Sequence, residues 1–204
     1  VFNTQQKTSE YYKITGEISN LKDSTVMLAY YFGGKQYATD TANVTNGKFT
    51  FTGNKELKGG MYLVVLSEGK YFDLIISEQD FSFSTKLDDL IGGMTFKNSK
   101  ENTTFYEYLQ FITKMQEQVT PIRKSLENAK DETKKELQIK AQAIDKKVKA
   151  YQANFLAKNP DKFFSKILIA NTEIEIPDAP LDSTGNPDKN FPYFFYKRHF
   201  WDNI

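Results

Sequence analysis

Residues 42–51 read ANVTNGKFTF, and this stretch indicates the fold class of the first half of the chain. Polar and apolar residues alternate on both sides of Asn46-Gly47, a period of two that is typical of β-strands. The Asn-Gly dipeptide accepts the positive φ angles that both central positions of a type I′ turn require. The stretch therefore predicts a tight hairpin between two short strands.

The same alternation extends in both directions, over residues 11–97. Residues 12–18 and 26–31 alternate in the same way, and Glu68-Gly69 separates two further apolar segments. Glycine pairs mark turns because glycine adopts φ values that other residues avoid; they lie at 33–34, 59–60 and 92–93. This spacing predicts about eight short antiparallel strands that form a small β-sandwich or a partly open barrel.

The hydrophobic period changes at Asn98. One apolar stripe runs from Phe105 to Ala129 and a second from Leu137 to Phe155, both in steps of three and four, which is typical of amphipathic helices. The stripes predict helices at about 101–129 and 132–158, capped near Asn98 or Ser99, and their matched lengths favour an antiparallel hairpin. The first stripe keeps its phase across Pro121, which predicts a kink there rather than an end.

These patterns predict an α+β chain with a flexible segment at residues 1–10, an antiparallel β domain at 11–97 and a helical domain at 98–204. Within the helical domain, a Pro-rich connector is expected at 172–192. A short helix is predicted to begin at Asn159-Pro160, with four apolar side chains facing inward: Phe163, Phe164, Ile167 and Leu168. A further aromatic helix is expected from Tyr193 to Trp201.

The composition excludes several classes of site. The chain has 204 residues and no cysteine, which excludes disulfides, thiolate metal sites and thiol nucleophiles within it. Its single histidine excludes a multi-histidine metal centre. With 27 basic and 26 acidic residues, the net charge of +1 is too even for a general nucleic-acid-binding surface. We predict no cofactor, no metal, no nucleic-acid partner and no transmembrane segment.

No catalytic residue is predicted. His199 is the first side chain to consider as a general base, but no nucleophile motif accompanies it, and a surface or partner-packed histidine on an aromatic helix is the favoured interpretation. An enzyme that uses carboxylates such as Asp182 and Asp188 is a further alternative. It is supported only by the presence of these residues in a loop. The paired aromatics Tyr30-Tyr31 and Tyr71-Phe72 could form a ligand platform, although one of each pair should point to the core.

Six lysines of the second long helix are interleaved with acidic residues and are expected on a solvated face with ion pairs between residues i and i+4. The lysines are Lys134, Lys135, Lys140, Lys146, Lys147 and Lys149, and the acidic residues are Glu132, Glu136 and Asp145.

Three stretches carry a resemblance to a known family. They read YKITGEISNLKDSTVMLAYY at 12–31, GKQY at 34–37 and NGKFTFTG at 46–53. They resemble the N-terminal β domain of Bacteroidota envelope thiol:disulfide interchange proteins of the TlpA and ResA type. Residues 98–159, with ENTTFYEYL at 101–109, are similar to the helical segment that follows in that family, and residues 193–204 are similar to its close. The family's Cys-x-x-Cys has no counterpart here, so no redox residue is carried over.

The resemblance implies a periplasmic or cell-envelope location, with an anchor through a removed N-terminal signal as one arrangement. It implies a non-catalytic accessory region that positions or spaces a downstream thioredoxin-like domain or binds its partner. A free-standing periplasmic glycan- or peptide-binding module that uses exposed tyrosines is the alternative. The expected partners are that downstream domain, another protein, or a second copy of the chain in a homodimer through the helical region.

Overall fold

A computed structural model describes residues 10–172, 174–181, 185–200 and 202. The flexible segment predicted at residues 1–10 lies outside them apart from Glu10. The strands are β1 (Tyr12–Ser19), β2 (Thr25–Phe32), β3 (Lys35–Asn43), β4 (Lys48–Gly53), β5 (Gly60–Val65), β6 (Tyr71–Ile76), β7 (Asp80–Lys86) and β8 (Thr95–Lys97). The helices are α1 (Lys100–Leu126), α2 (Asp131–Lys158), α3 (Phe163–Ala170) and α4 (Phe191–His199).

The described strands form two four-stranded sheets and no closed barrel, which confirms the α+β class. The first sheet has the order β4-β1-β7-β8 and the second β3-β2-β5-β6. The expectation of only antiparallel strands is wrong at one place, because β1 and β7 run parallel, with Ile14 opposite Phe81. A period of two is the same for either strand direction, so the pattern could not distinguish them.

The Asn46-Gly47 turn connects the two sheets. Asn46 and Gly47 have φ angles of 52° and 77°, as a type I′ turn requires. The predicted tight turn forms and Thr45 pairs with Lys48 across it, but the hairpin extends no further, because β3 belongs to the second sheet and β4 to the first. A side chain at Gly47 would meet the carbonyl oxygen of Ile18 at 2.5 Å, so the corner fits closely against β1.

The amino-terminal half of α1 packs against the opposite side of the sandwich, beside the edge strands β6 and β8. Asn102 Nδ2 donates to the carbonyl oxygen of Ile75 at 2.7 Å, and the Ile75 amide donates to Asn102 Oδ1 at 2.8 Å. The Tyr106 hydroxyl donates to the carbonyl oxygen of Asp73 at 2.8 Å, and its ring lies 5.1 Å from that of Phe96. Side chains of α1 thus satisfy backbone groups that another strand would otherwise pair.

The helical hairpin agrees with its prediction. Ser99 caps α1 by accepting a hydrogen bond from the Asn102 amide, and the helix continues through Pro121 to Leu126. Met115 and Val119 of α1 pack with Ile144 of α2 in one buried cluster. Nearer the sandwich, the rings of Phe111 and Tyr151 stack with centroids 3.7 Å apart, so the two helices run antiparallel.

The remaining helices differ in part from expectation. α3 begins at Phe163, with Lys162 as N-cap, rather than at Asn159-Pro160. Phe164 is buried as predicted, but Phe163 is exposed. The aromatic helix forms as α4, and Trp201 lies outside the described residues. Between α3 and α4, the described residues form no helix or strand and only an isolated bridge between Leu181 and Pro187.

The described residues up to Asn154 form one compact unit, and those from Phe155 onward form a second. The last strand ends at Lys97 and the first helix begins at Lys100. The assignment of a β domain at 11–97 and a separate helical domain at 98–204 stays a prediction.

Candidate binding site

An open cleft of about 580 Å³ lies between the β2–β3 turn and residues 56–60. We call it the aromatic cleft. Its lining residues are Tyr30, Tyr31, Phe32, Thr39, Glu56, Leu57, Lys58, Gly59, Gly60, Met61 and Tyr62. Aromatic side chains beside a few polar groups are the usual composition of a ligand-binding surface.

The β2–β3 turn sets the aromatic side of the cleft. Gly33 and Gly34 have φ angles of 55° and 76°, which allow a two-residue turn and place Tyr30 opposite Tyr37. The rings of Tyr30 and Tyr37 stack at 5.7 Å, and the ring of Phe32 meets that of Tyr37 edge-on at 6.5 Å. Phe32 is 71% exposed and lines the cleft, so it offers surface to a ligand, whereas Tyr37 supports the ring of Tyr30 from outside the cleft lining.

Residues 56–60 form the opposite side, which Gln79 holds in place. The Leu57 amide donates to Gln79 Oε1 and Gln79 Nε2 donates to the Leu57 carbonyl oxygen, each at 3.0 Å. This pair of bonds ties the loop to the start of β7. The cleft therefore has two sides with fixed backbone conformation, which lowers the entropy that binding would cost.

The cleft suits binding rather than proton transfer. Burial raises the pKa of Tyr62, with a further contribution from the neighbouring Tyr30, so its phenol stays neutral at ordinary pH. Aromatic faces attract the C–H groups of sugars and the apolar side chains of peptides, while Thr39, Glu56 and Lys58 provide polar contacts. The cleft thus combines aromatic faces with polar groups along one surface.

The aromatic pairs named from the sequence lie at different depths. Phe72 is buried and Tyr71 is exposed, as predicted for a strand with one face in the core. Tyr30 is partly buried and Tyr31 is exposed. Only the Tyr30-Tyr31 pair lines the aromatic cleft.

His199 and Asp188, which were considered from the sequence, belong to the second compact unit. His199 Nδ1 pairs with Asp202 Oδ2, and its ring lies 4.3 Å from that of Phe195. Across the described residues, no hydroxyl is hydrogen-bonded to its other ring nitrogen. Asp188 Oδ1 accepts from the Asn190 amide at 2.8 Å, and Asp182 lies outside the described residues.

The lysine-rich face of α2 is solvated as predicted, since all six lysines are exposed. The expected i to i+4 ion pairs are wrong: among described residues, no carboxylate lies within 4.0 Å of any of these six ammonium groups. Asp145 instead pairs with Arg123 of α1 at 3.4 Å. Exposed lysines gain little from such pairs because solvent screens them and their side chains lose entropy.

Aromatic side chains are also exposed along α4, which has no buried residue among those described. The most exposed are Tyr193, Phe194, Tyr196 and Phe200, at 62%, 58%, 46% and 41%. They form an apolar surface of the second compact unit.

Asp73 and Asn102 were not predicted from the sequence. Asp73 is the one charged residue of the apolar strand YFDLII, and a charge at such a position was a signal that could have been followed. Asn102 is fully buried at the start of α1. Its role depends on the long-range contact with Ile75, which no local pattern reveals.

The described residues contain no group of three or more metal-ligating side chains placed to hold an ion. None of the described helices combines the length and the apolar character needed to cross a membrane.

Residues 12–105 match the model of a family described as Domain of unknown function (DUF4369). The match begins with β1 and ends at Phe105, so it contains the sandwich together with the first residues of α1, including Asn102. No curated protein and no solved structure matches the chain.

Proposed function

We propose that the chain is the non-catalytic accessory region of an envelope thiol:disulfide interchange protein and that it spaces or orients a thioredoxin-like redox domain. Its support is the sequence resemblance, together with the absence of cysteine from all 204 residues. Thiol–disulfide exchange requires an attacking thiolate, so the redox step belongs to another domain.

The observation that carries the proposal is the shared helix α1. Its first turns bond to β6 through Asn102 and Tyr106, and its later turns pack on α2 through Met115 and Val119. One continuous helix of 27 residues, about 40 Å long at 1.5 Å per residue, therefore links the sandwich to the hairpin. A stiff link of this kind suits a spacer.

The reading frame beyond Ile204 tests the proposal directly. We expect it to continue into a thioredoxin-like domain with Cys-x-x-Cys. A frame that stops at Ile204, or that continues into an unrelated domain, would overturn the assignment.

A reductase assay tests the non-catalytic part. Reduction of insulin disulfides by dithiothreitol is measured with and without the purified chain, with thioredoxin as the positive control. We expect no acceleration by the chain. A reproducible acceleration would contradict the proposal.

The second candidate function is a free-standing periplasmic module that binds glycans or peptides, and the exposure of Phe32 in the aromatic cleft favours it. Arrays of oligosaccharides and of short peptides are probed with the chain and with Phe32→Ala. The matched control is Tyr11→Ala, since Tyr11 is 59% exposed but does not line the cleft. Binding that Phe32→Ala abolishes and Tyr11→Ala leaves intact would support this function. Equal binding by all three proteins, or none, would reject it.

A further inference from the structure

The carboxylate of Asp73 lies on the outer face of the second sheet, the face turned away from the sandwich core. In the ladder of this sheet, Ala29 is opposite Leu63 and Leu63 is opposite Asp73. Tyr31 follows Ala29 by two residues and Tyr71 precedes Asp73 by two, so their side chains emerge on the same face. Strand register thus places Tyr71 beside Asp73 on the outer face of β6, whereas Tyr31 lies on the same face two strands away and is displaced in the opposite direction along the sheet.

A third tyrosine approaches Asp73 from α1. Tyr106 is almost fully buried, and its hydroxyl is fixed by donating to the backbone carbonyl oxygen of Asp73. Tyr71, Asp73 and Tyr106 line a cavity of about 600 Å³ between β6, α1 and the loop after β7. Asp88 and Asp89 of that loop line the same cavity and add negative charge.

No cation of the described chain neutralises Asp73. Lys70 also lines the cavity, but its ammonium nitrogen lies 3.5 Å from Glu68 Oε2. Within the described residues, the Asp73 carboxylate takes part in no hydrogen bond and no ion pair. A partly buried carboxylate without such partners is costly, because burial removes part of its hydration.

Electrostatic coupling agrees with this placement. Burial raises the pKa of Asp73 above its usual value. Burial also raises the pKa of Tyr31, and the charge of Asp73 and the neighbouring Tyr71 raise it further. The Asp73 charge likewise adds to the larger effect of burial on the pKa of Tyr106. The phenols of Tyr31 and Tyr106 therefore lie close enough to Asp73 to sense its charge.

We propose that Asp73 and Tyr71, which line the same cavity, form a binding site for an organic cation of the ammonium type. The carboxylate supplies the countercharge, and the face of the exposed Tyr71 ring supplies cation–π attraction, which acts within about 6 Å of a ring centroid. Neither residue lines the aromatic cleft and no thiol takes part, so the site is independent of both functions proposed above.

Tetramethylammonium chloride is the probe, followed by nuclear magnetic resonance of the ¹⁵N-labelled chain at constant ionic strength. We expect saturable shifts at the amides around residues 71–73, with a dissociation constant on the order of millimolar. Butylammonium should bind at the same amides if the site accepts a primary amine such as a lysine side chain. Neutral tert-butanol should not bind. Shifts that do not saturate, or that tert-butanol reproduces, would overturn the proposal.

Variants measure separately what the Asp73 charge and the Tyr71 ring contribute to tetramethylammonium binding. Asp73→Asn should weaken tetramethylammonium binding roughly tenfold, whereas Asp80→Asn, at an exposed carboxylate at the start of β7, should leave it unchanged. Tyr71→Phe should retain binding because the ring remains, and Tyr71→Leu should lose most of it. Circular dichroism confirms the fold of each variant. Equal affinity for Asp73→Asn and the unaltered chain, or for Tyr71→Phe and Tyr71→Leu, would contradict the site.

Discussion

The two halves of α1 are packed differently. The amino-terminal half buries Glu101, Asn102, Phe105, Tyr106 and Tyr108, whereas the carboxy-terminal half buries only Met115 and Val119. The first half lies against the sandwich and bonds to its backbone, while the second packs on one helix through a narrow apolar stripe. One helix can thus be held by specific polar bonds at one end and by a repeating hydrophobic pattern at the other.

The largest effect is expected where α1 bonds to β6. Asn102→Ala removes both partners of the Ile75 backbone, and we expect the free energy of unfolding to fall by about 3 to 5 kcal/mol, since each unsatisfied buried group costs about 1 to 3 kcal/mol. Urea denaturation measures the change. Asn128→Ala, in the exposed turn between the helices, is the control. A loss of less than about 1 kcal/mol for Asn102→Ala would mean that the two halves of α1 do not differ in this way.

A smaller loss is expected in the hairpin. Ile144 is 8% exposed and packs on Met115 and Val119, so Ile144→Ala should cost about 2 to 3 kcal/mol, near the low end for a buried aliphatic side chain. Lys146→Ala on the solvated face should cost about 0.5 kcal/mol or less. Chemical denaturation compares the two variants. Equal losses would show that the stripe does not stabilise the hairpin.

Alkaline pH tests the Tyr106 contact. Burial raises the pKa of Tyr106 above its ordinary value of 10.0, so the phenol stays protonated in the folded chain while the unfolded chain ionises. Stability is therefore fully present below about pH 10 and falls as pH rises above it. Tyr106→Phe should lower the free energy of unfolding by about 1 kcal/mol at neutral pH and weaken this alkaline dependence.

Denaturation at about pH 8 and about pH 11 measures both effects on stability. Burial and the bond to Asp40 also raise the pKa of Tyr12, to about 12, so some alkaline dependence should persist in the variant. An identical pH dependence with and without the Tyr106 hydroxyl would argue against the contact.

The smallest effect is expected in α4. Phe194 is 58% exposed, so Phe194→Ala should change the free energy of unfolding by about 0.5 kcal/mol or less. Thermal melts and light scattering on the variant and the unaltered chain measure stability and association. A large loss of stability, or a change in oligomeric state, would show that the exposed rings of α4 are covered in solution.

Local patterns predicted the helices of this chain well and the strand partners poorly. The stripe that contains Met115 and Val119 lies along one helix, so its period of three to four residues can be recognised from neighbouring residues alone. The turn at Asn46-Gly47 could be predicted in the same way, but the two strands that it joins belong to different sheets. Which strands pair depends on contacts between distant segments, such as Ile14 with Phe81.

The same distinction applies to the candidate sites. The exposed tyrosines of β2 and β6 could be named from the sequence because an alternating strand must turn one side outward. The cleft could not be predicted, since it needs Gln79 to fix residues 56–60 from another sheet. The group around Asp73 likewise needs α1 to bring Tyr106 to the edge of β6.

The outer edge of β3 has a consequence for aggregation. Almost every residue of this edge strand is exposed, and an exposed edge can recruit a strand from another molecule. The register shifts between Leu28 and Ala29 leave Thr39 as an extra residue in β3, and Asp40 Oδ1 accepts from the Thr41 amide at 2.7 Å. The bulge at Thr39 interrupts the straight row of backbone donors and acceptors along β3. In addition, the Asp40 carboxylate already accepts a hydrogen bond from the Thr41 amide. Intermolecular sheet growth along β3 is thereby hindered while β2 keeps its own partner.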